Sequence, residues 1–181
     1  AKELGGQVWH NADLLEEINY LVEYPTPLYG RIDEEFLDLP VPAVVTPMRD
    51  HQRYYPVRKE DGSLMPYFLT VRNGGDRAIR NVQIGNERVL RARLDDAKFF
   101  FDGDRRKSLE GHRGALSRIN YQEGMGTMLD KSDRLVKLVE AIGEDWNFTD
   151  TEKADVRRAA YLSKSDLATG MVTEFTELQG E

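Results

Sequence analysis

The feature that most constrains this chain is a change of hydrophobic period near its middle. In "RYYPVRKEDGSLMPYFLTVRN", two segments rich in aromatic and β-branched residues flank Asp61-Gly62. That is hairpin chemistry, because glycine tolerates the positive φ of a tight turn. After "NGGDRAIRN" the alternation stops and helical spacing runs to the last residues. The pattern predicts an α+β chain: an N-terminal mixed α/β module with an antiparallel hairpin over residues 1–84, a connecting helix over 85–105, and an all-α module over 106–181.

The connecting helix, "GNERVLRARLDDAKFFFDGD", carries the sharpest expectation. Leu90, Leu94, Ala97 and Phe101 recur at helical spacing, while Phe99 points to nearly the opposite side, beside Ala92. A helix with two apolar sides packs on both, so Leu90, Leu94, Phe99 and Phe101 are expected at an interface between modules. Asn86 is expected to cap this helix, and Arg91 and Asp95 have the spacing of an intrahelical ion pair.

Other elements follow from caps and breakers. Residues 11–24 predict a helix capped by Asn11 or Asp13, with Leu14, Ile18, Leu21 and Val22 inward and Pro25 and Pro27 ending it. Ala43 to Thr46 is a short β-branched run, and Pro56 and Pro66, lacking an N–H, are expected at a sheet edge or bulge. "SLEGHRGALSRINY" offers a helical segment with a glycine in each half. Thr127 and Asp130 make a capping-box start for a helix whose stripe is Met128, Leu135, Leu138 and Ile142. A last helix from about Thr151 runs toward Phe175, with Val156, Ala159, Ala160 and Leu162 inward.

Composition excludes several function classes. The chain has no cysteine, which removes disulfides, thiolate catalysis and cysteine-based zinc sites from its 181 residues. No apolar run approaches the roughly 20 residues that span a bilayer, and the opening "AKELGGQVWHNADLL" lacks the layout of a signal peptide. The expectation is a cytoplasmic protein. The net charge of −7 argues against unassisted tight binding to a polyanion, yet it divides unevenly: −7 over residues 1–48, +4 over 49–91 and −4 over 92–181. If RNA is touched, the middle segment is the place.

No motif completes a catalytic site. His10, His51 and His112 are far apart and have no i, i+4 partner of metal-ligand type. "NGGD" and "EGMGT" complete neither a phosphate-binding loop nor a dinucleotide fingerprint, and read as turns. Arg88, Arg91 and Arg93 alternate with Glu87, Asp95 and Asp96, so an interface ion network and phosphate contact are both open.

Longer words go further. "DLLEEINYLVEYPTPLYGRIDEEFLDLP", "HQRYYPV", "GNERVLRARLDDAKFF", "YQEGMGTMLDKSDRL" and "KSDLATGMVTEFTELQG" resemble, in order and spacing, an internal stretch of the beta subunit of bacterial heterotetrameric glycyl-tRNA synthetase. The resemblance implies an accessory part in ATP-dependent attachment of glycine to tRNA(Gly), with no DNA or membrane partner. The alpha subunit is the implied partner and would hold ATP, magnesium and glycine, leaving no cofactor, metal or catalytic residue in this chain. It further implies an α+β half similar to an editing-type module and a truncated helical half similar to the start of an HD-type domain. An HD metal site needs a His-Asp pair; here Asp50-His51 stands in reverse order and in the other half. Arg53, Arg72, Arg88 and Arg91 are the candidate tRNA contacts. An editing-type or HD-type hydrolase and a structural scaffold are the alternatives.

Overall fold

A computed structural model describes residues 1–181 as two compact units, Ala1–Phe101 and Asp102–Glu181. The chain is α+β, as the change of period predicts. The first unit is built on a four-stranded antiparallel sheet: β1 (Gln7–Val8), β2 (Pro25–Arg31), β3 (Tyr55–Arg58) and β4 (Leu64–Asn73), in the order β1-β3-β4-β2. The hairpin joins β3 to β4 at Gly62, whose φ is 87°. Asp61 steadies the turn by accepting the Ser63 N–H at 2.9 Å and its hydroxyl at 2.6 Å, which also holds the Asp61 carboxyl below its ordinary range.

Strand β2 corrects the expectation that Pro25 and Pro27 merely stop the first helix. That helix, α1, covers Ala12–Leu21 and is capped by Asn11, whose Oδ1 accepts the Leu14 N–H at 2.8 Å. The prolines then open an edge strand, paired on one side only, where a missing N–H breaks no ladder. Pro56 and Pro66 sit where the register of β3 against β4 slips, between the pairs Pro56–Phe68 and Arg58–Leu64. The run Ala43–Thr46 is helical rather than extended: α2 spans Val41–Thr46 and continues as a wide turn, Pro47–His51. Its side chains Ala43 to Met48 are all buried, so packing overrides β propensity here.

The sheet has two covered faces. On one, Phe68 is fully buried and stacks on Tyr54 with centroids 4.6 Å apart. On the other, Leu14 and Ile18 of α1 pack with Tyr55 against Leu69, Val71 and Val22. Gly30 of β2 lies directly opposite Phe68, and a methyl group there would overlap the phenyl ring.

Helix α3 runs from Ile79 to Asp104 and carries the chain from the first unit into the second. It begins well before the expected cap Asn86, after Ala78 at φ 56°, so Gly85 and Asn86 are interior to it. Leu90, Leu94 and Ala97 are fully buried and Phe101 partly so. Phe99 is 72% exposed, its ring edge-on to Phe100, so the burial expected for it is not met. Its phase is the expected one, on a face shared with Ala92, Asp95 and Asp96, but that face is exposed throughout.

In the second unit, α4 (Leu109–Arg113) and a 3-10 turn (Gly114–Arg118) replace the single segment expected there. A two-stranded ribbon, β5 (Asn120–Gln122) with β6 (Gly126–Thr127), leads into α5 (Met128–Asp145). Helix α6 covers Asp150–Leu162 and α7 covers Gly170–Glu174. The helix expected to run to Phe175 is thus broken, because Lys164 takes φ 70°. Within the expected stripes, Met128 and Ala160 are buried, while Leu138 is 54% exposed and Ala159 is also exposed. Ser132 is fully buried and donates from Oγ to the Ala160 carbonyl at 3.3 Å, and Arg157 pairs with Glu140 at 2.7 Å. Asp104 accepts the Gly170 and Met171 N–H groups at 2.9 and 2.8 Å, capping α7.

Two glycines separate crowding from propensity. Gly30→Ala is expected to destabilise the chain by about 1–3 kcal/mol through overlap with Phe68. Gly85→Ala, with nothing within 4 Å of the added carbon, is expected to stabilise it by about 0.5–1 kcal/mol. Urea denaturation of both variants checks the pair.

Helices α5 and α6 start with true capping boxes, Thr127/Asp130 and Thr149/Glu152. Hydrogen bonds from the Thr backbone and hydroxyl hold both carboxyls below their ordinary values of 3.8 and 4.5. A carboxylate with a lowered folded pKa stabilises above its unfolded pKa and loses that contribution as pH falls through the lowered value. The thermal midpoint is therefore expected to fall on acidification below about pH 4. In Asp130→Asn/Glu152→Gln this acid-dependent part of the fall is expected to shrink.

Candidate nucleic-acid interface

The alternation of β2 sets one wall of a groove in the first unit. Leu28 and Gly30 point into the core, so Tyr29 and Arg31 point the other way. Across the ladder Tyr29 faces Leu69 and Arg31 faces Tyr67. The opposite wall is the early part of α3, where Arg80, Ile84, Glu87, Arg88 and Arg91 recur at helical spacing on one side. Between the walls lies an open groove of about 610 Å³.

Two contacts hold the walls together. Glu87 Oε1 accepts the Arg31 backbone N–H at 3.0 Å and a hydrogen bond from Gln83 Nε2 at 3.3 Å. Arg91 pairs with Asp33, just past β2, in place of the Asp95 partner that helical spacing offers. Arg31 is paired in turn with Glu34 at 2.8 Å. The remaining cations are not neutralised: Arg80 reaches only the neutral Gln83, at 3.0 Å, and Arg88 has no partner in the chain. The groove therefore keeps a positive lining in a chain whose net charge is −7.

The four arginines singled out in the sequence separate. Arg88 and Arg91 line this groove. Arg53 lies elsewhere, at φ 57°, with Nε on Glu17 at 2.9 Å and Nη1 on the Asp50 carbonyl at 3.0 Å. Arg72 donates to the Arg77 carbonyl at 2.9 Å and braces the turn before α3. Tyr29, Arg31, Tyr67 and Arg80 are groove residues that the sequence reading missed, while Glu87 was named there only as a neighbour of the arginines. The spacing Arg80, Ile84, Arg88, Arg91 is legible once the helix is started at Ile79.

In the second unit several titratable groups serve structure. His112 contacts the Asp104 carbonyl at 3.2 Å, and His10, in the first unit, is exposed. Arg113 packs over the Tyr161 ring at 4.0 Å, donates to the Tyr161 carbonyl at 2.8 Å and pairs with Asp133. Glu110 is held below its ordinary range chiefly by its hydrogen bond from Arg158. No three His, Asp or Glu side chains converge to hold a metal ion. No helix is long and apolar enough to cross a membrane.

These features define an α+β chain that carries a cationic, tyrosine-walled surface groove suited to a polyanion. The chain belongs to the family described as Glycyl-tRNA synthetase beta subunit, which matches it over residues 1–181. It is 52% identical over 180 residues to the glycine–tRNA ligase beta subunit of Clostridioides difficile, covering 99% of this chain and 26% of that protein. Identity to the beta subunits of Halothermothrix orenii and Bacillus subtilis is 50% over 179 residues and 46% over 168 residues. These cover 99% and 93% of this chain, and 26% and 25% of the relatives. The chain thus spans about a quarter of the length of the curated relatives it matches.

The division between structural and available side chains is measurable. Glu87→Ala is expected to cost about 1 kcal/mol, because it removes the hydrogen bond that holds the Arg31 N–H at the end of β2. Arg88→Ala, which breaks no bond, is expected to stay within about 0.5 kcal/mol of the parent. Thermal unfolding of the two variants side by side tests this assignment.

Proposed function

We propose that this chain is a section of a glycine–tRNA ligase beta subunit, and that it contributes an RNA-contacting surface to the attachment of glycine to tRNA(Gly). The single observation that carries the RNA contact is the pair of uncompensated guanidinium groups, Arg80 and Arg88, on the wall of a groove in a family whose members are glycine–tRNA ligase subunits. An RNA phosphate satisfies such groups as paired donors, and displaces counterions in doing so. The chemistry of activation belongs to the alpha subunit in this reading, with ATP and magnesium bound there. Cytoplasmic location, an editing-type ancestry for the first unit and an HD-type ancestry for the second are parts of the same reading.

A scaffold role is favoured for the other arginines. Arg53, Arg72 and Arg91 are committed to Glu17, the Arg77 carbonyl and Asp33. Their support is to the shape of the first unit, not to a ligand.

The test uses the complete alpha–beta enzyme. Arg80→Ala and Arg88→Ala in full-length beta are expected to weaken tRNA(Gly) binding and to reduce the slope of log affinity against log salt by about one each. Unchanged affinity and slope in the double variant, with folding intact, overturns the RNA-contact reading.

A further inference from the structure

The groove has more chemistry than charge. Tyr29 is 46% exposed and Tyr67 half-buried, and neither ring is stacked within the chain, in contrast to Tyr54 on Phe68. Because Tyr29 pairs with Leu69 and Arg31 with Tyr67, the two tyrosines are diagonal neighbours on one face of an antiparallel pair. Such diagonal positions lie roughly 7–8 Å apart, so both rings rise from the same stretch of the strand wall. Facing them, Ile84 is 41% exposed between Arg80 and Arg88, which lie about 12 Å apart along the helix axis. Apolar surface thus sits at the centre of the helical wall, with a cation on either side.

We propose that this groove takes one unpaired nucleotide of an RNA strand, its base stacked on Tyr29 and Tyr67 and its flanking phosphates held by Arg80 and Arg88. The inference rests on the RNA-contact reading above and specifies what the RNA presents. A volume of about 610 Å³ suits a single nucleotide, within the roughly 300–1,000 Å³ of ordinary ligand sites. Stacked base pairs keep their faces covered and offer no ring to the tyrosines; a splayed or looped-out base does. Arg31 and Arg91 are already matched by Glu34 and Asp33, so the groove has two cations to offer rather than four. That supply suits a short single-stranded stretch better than a broad backbone footprint.

The experiment again uses the complete alpha–beta enzyme. The probes are a single-stranded hexaribonucleotide carrying one 2-aminopurine and the same sequence locked in a hairpin duplex. The single strand is expected to bind with quenched 2-aminopurine fluorescence. Tyr29→Ala and Tyr67→Ala are each expected to weaken that binding about tenfold and to relieve the quenching. Tyr29→Phe and Tyr67→Phe are expected to restore both, because a phenyl ring stacks as the phenol does. Duplex affinity is expected to be unchanged by the tyrosine variants.

Equal loss for single strand and duplex, or quenching that persists in the double alanine variant, overturns the proposal. The two readings fail separately. If Arg88→Ala lowers tRNA(Gly) affinity and the tyrosine variants do not touch single-strand binding, only the nucleotide inference falls. If Arg80→Ala/Arg88→Ala leaves tRNA affinity unchanged, the RNA-contact reading falls and takes this inference with it.

Discussion

The contact of Phe68 with Gly30 is the constraint on which the first unit depends. Phe68 is fully buried at the centre of the sheet, stacked on Tyr54, and the absence of a side chain at Gly30 lets the edge strand close over it. Once β2 is seated in that register, strand alternation leaves no freedom: Leu28 and Gly30 go inward, and Tyr29 and Arg31 are turned to the other face. A slip of one residue would exchange the two sets. The groove is therefore the outer side of a core decision, made by a glycine and a phenylalanine that do not line it.

Polar contacts tie the helical wall to that strand and the turn after it. Glu87 accepts the backbone N–H of Arg31, and Arg91 holds Asp33. The Arg91–Asp33 pair also neutralises charge, which divides the arginines of the groove into those that set its shape and those left to meet a ligand. Exposed ion pairs of this kind are individually weak. Their effect here is positional: they orient a helix whose burial is supplied farther along, at Leu90, Leu94 and Ala97.

Much of the fold was legible in the residues, and the losses have specific causes. The Asp61-Gly62 hairpin, the α1 cap at Asn11 and the Thr127/Asp130 capping box were readable because each is decided within a few residues. Strand β2 was lost because Pro25 and Pro27 read as a stop, and their tolerance depends on the strand being at an edge, a tertiary fact. The start of α3 was lost because Gly85 and Asn86 resemble a boundary, yet sit inside 26 helical residues. Those two errors removed the β2 part of the strand wall and the first turns of the helical wall. Hence Arg88 and Arg91 could be named from the sequence while Tyr29, Tyr67 and Arg80 could not. Phe99 failed for a different reason: periodicity states which way a side chain points, not whether anything covers it.

The carboxylate of Asp104 gives the second unit a schedule. It caps α7 by accepting the N–H groups of Gly170 and Met171, 66 and 67 residues farther along the chain. During synthesis the β3–β4 hairpin can pair as soon as residue 73 is free of the ribosome, since its partners are neighbours in sequence. The cap cannot form until Gly170 and Met171 have emerged. The entrance of the helical unit is thus tied to α7 late, with Asp104 waiting for its partners, while the sheet that carries the groove is assembled from segments already made.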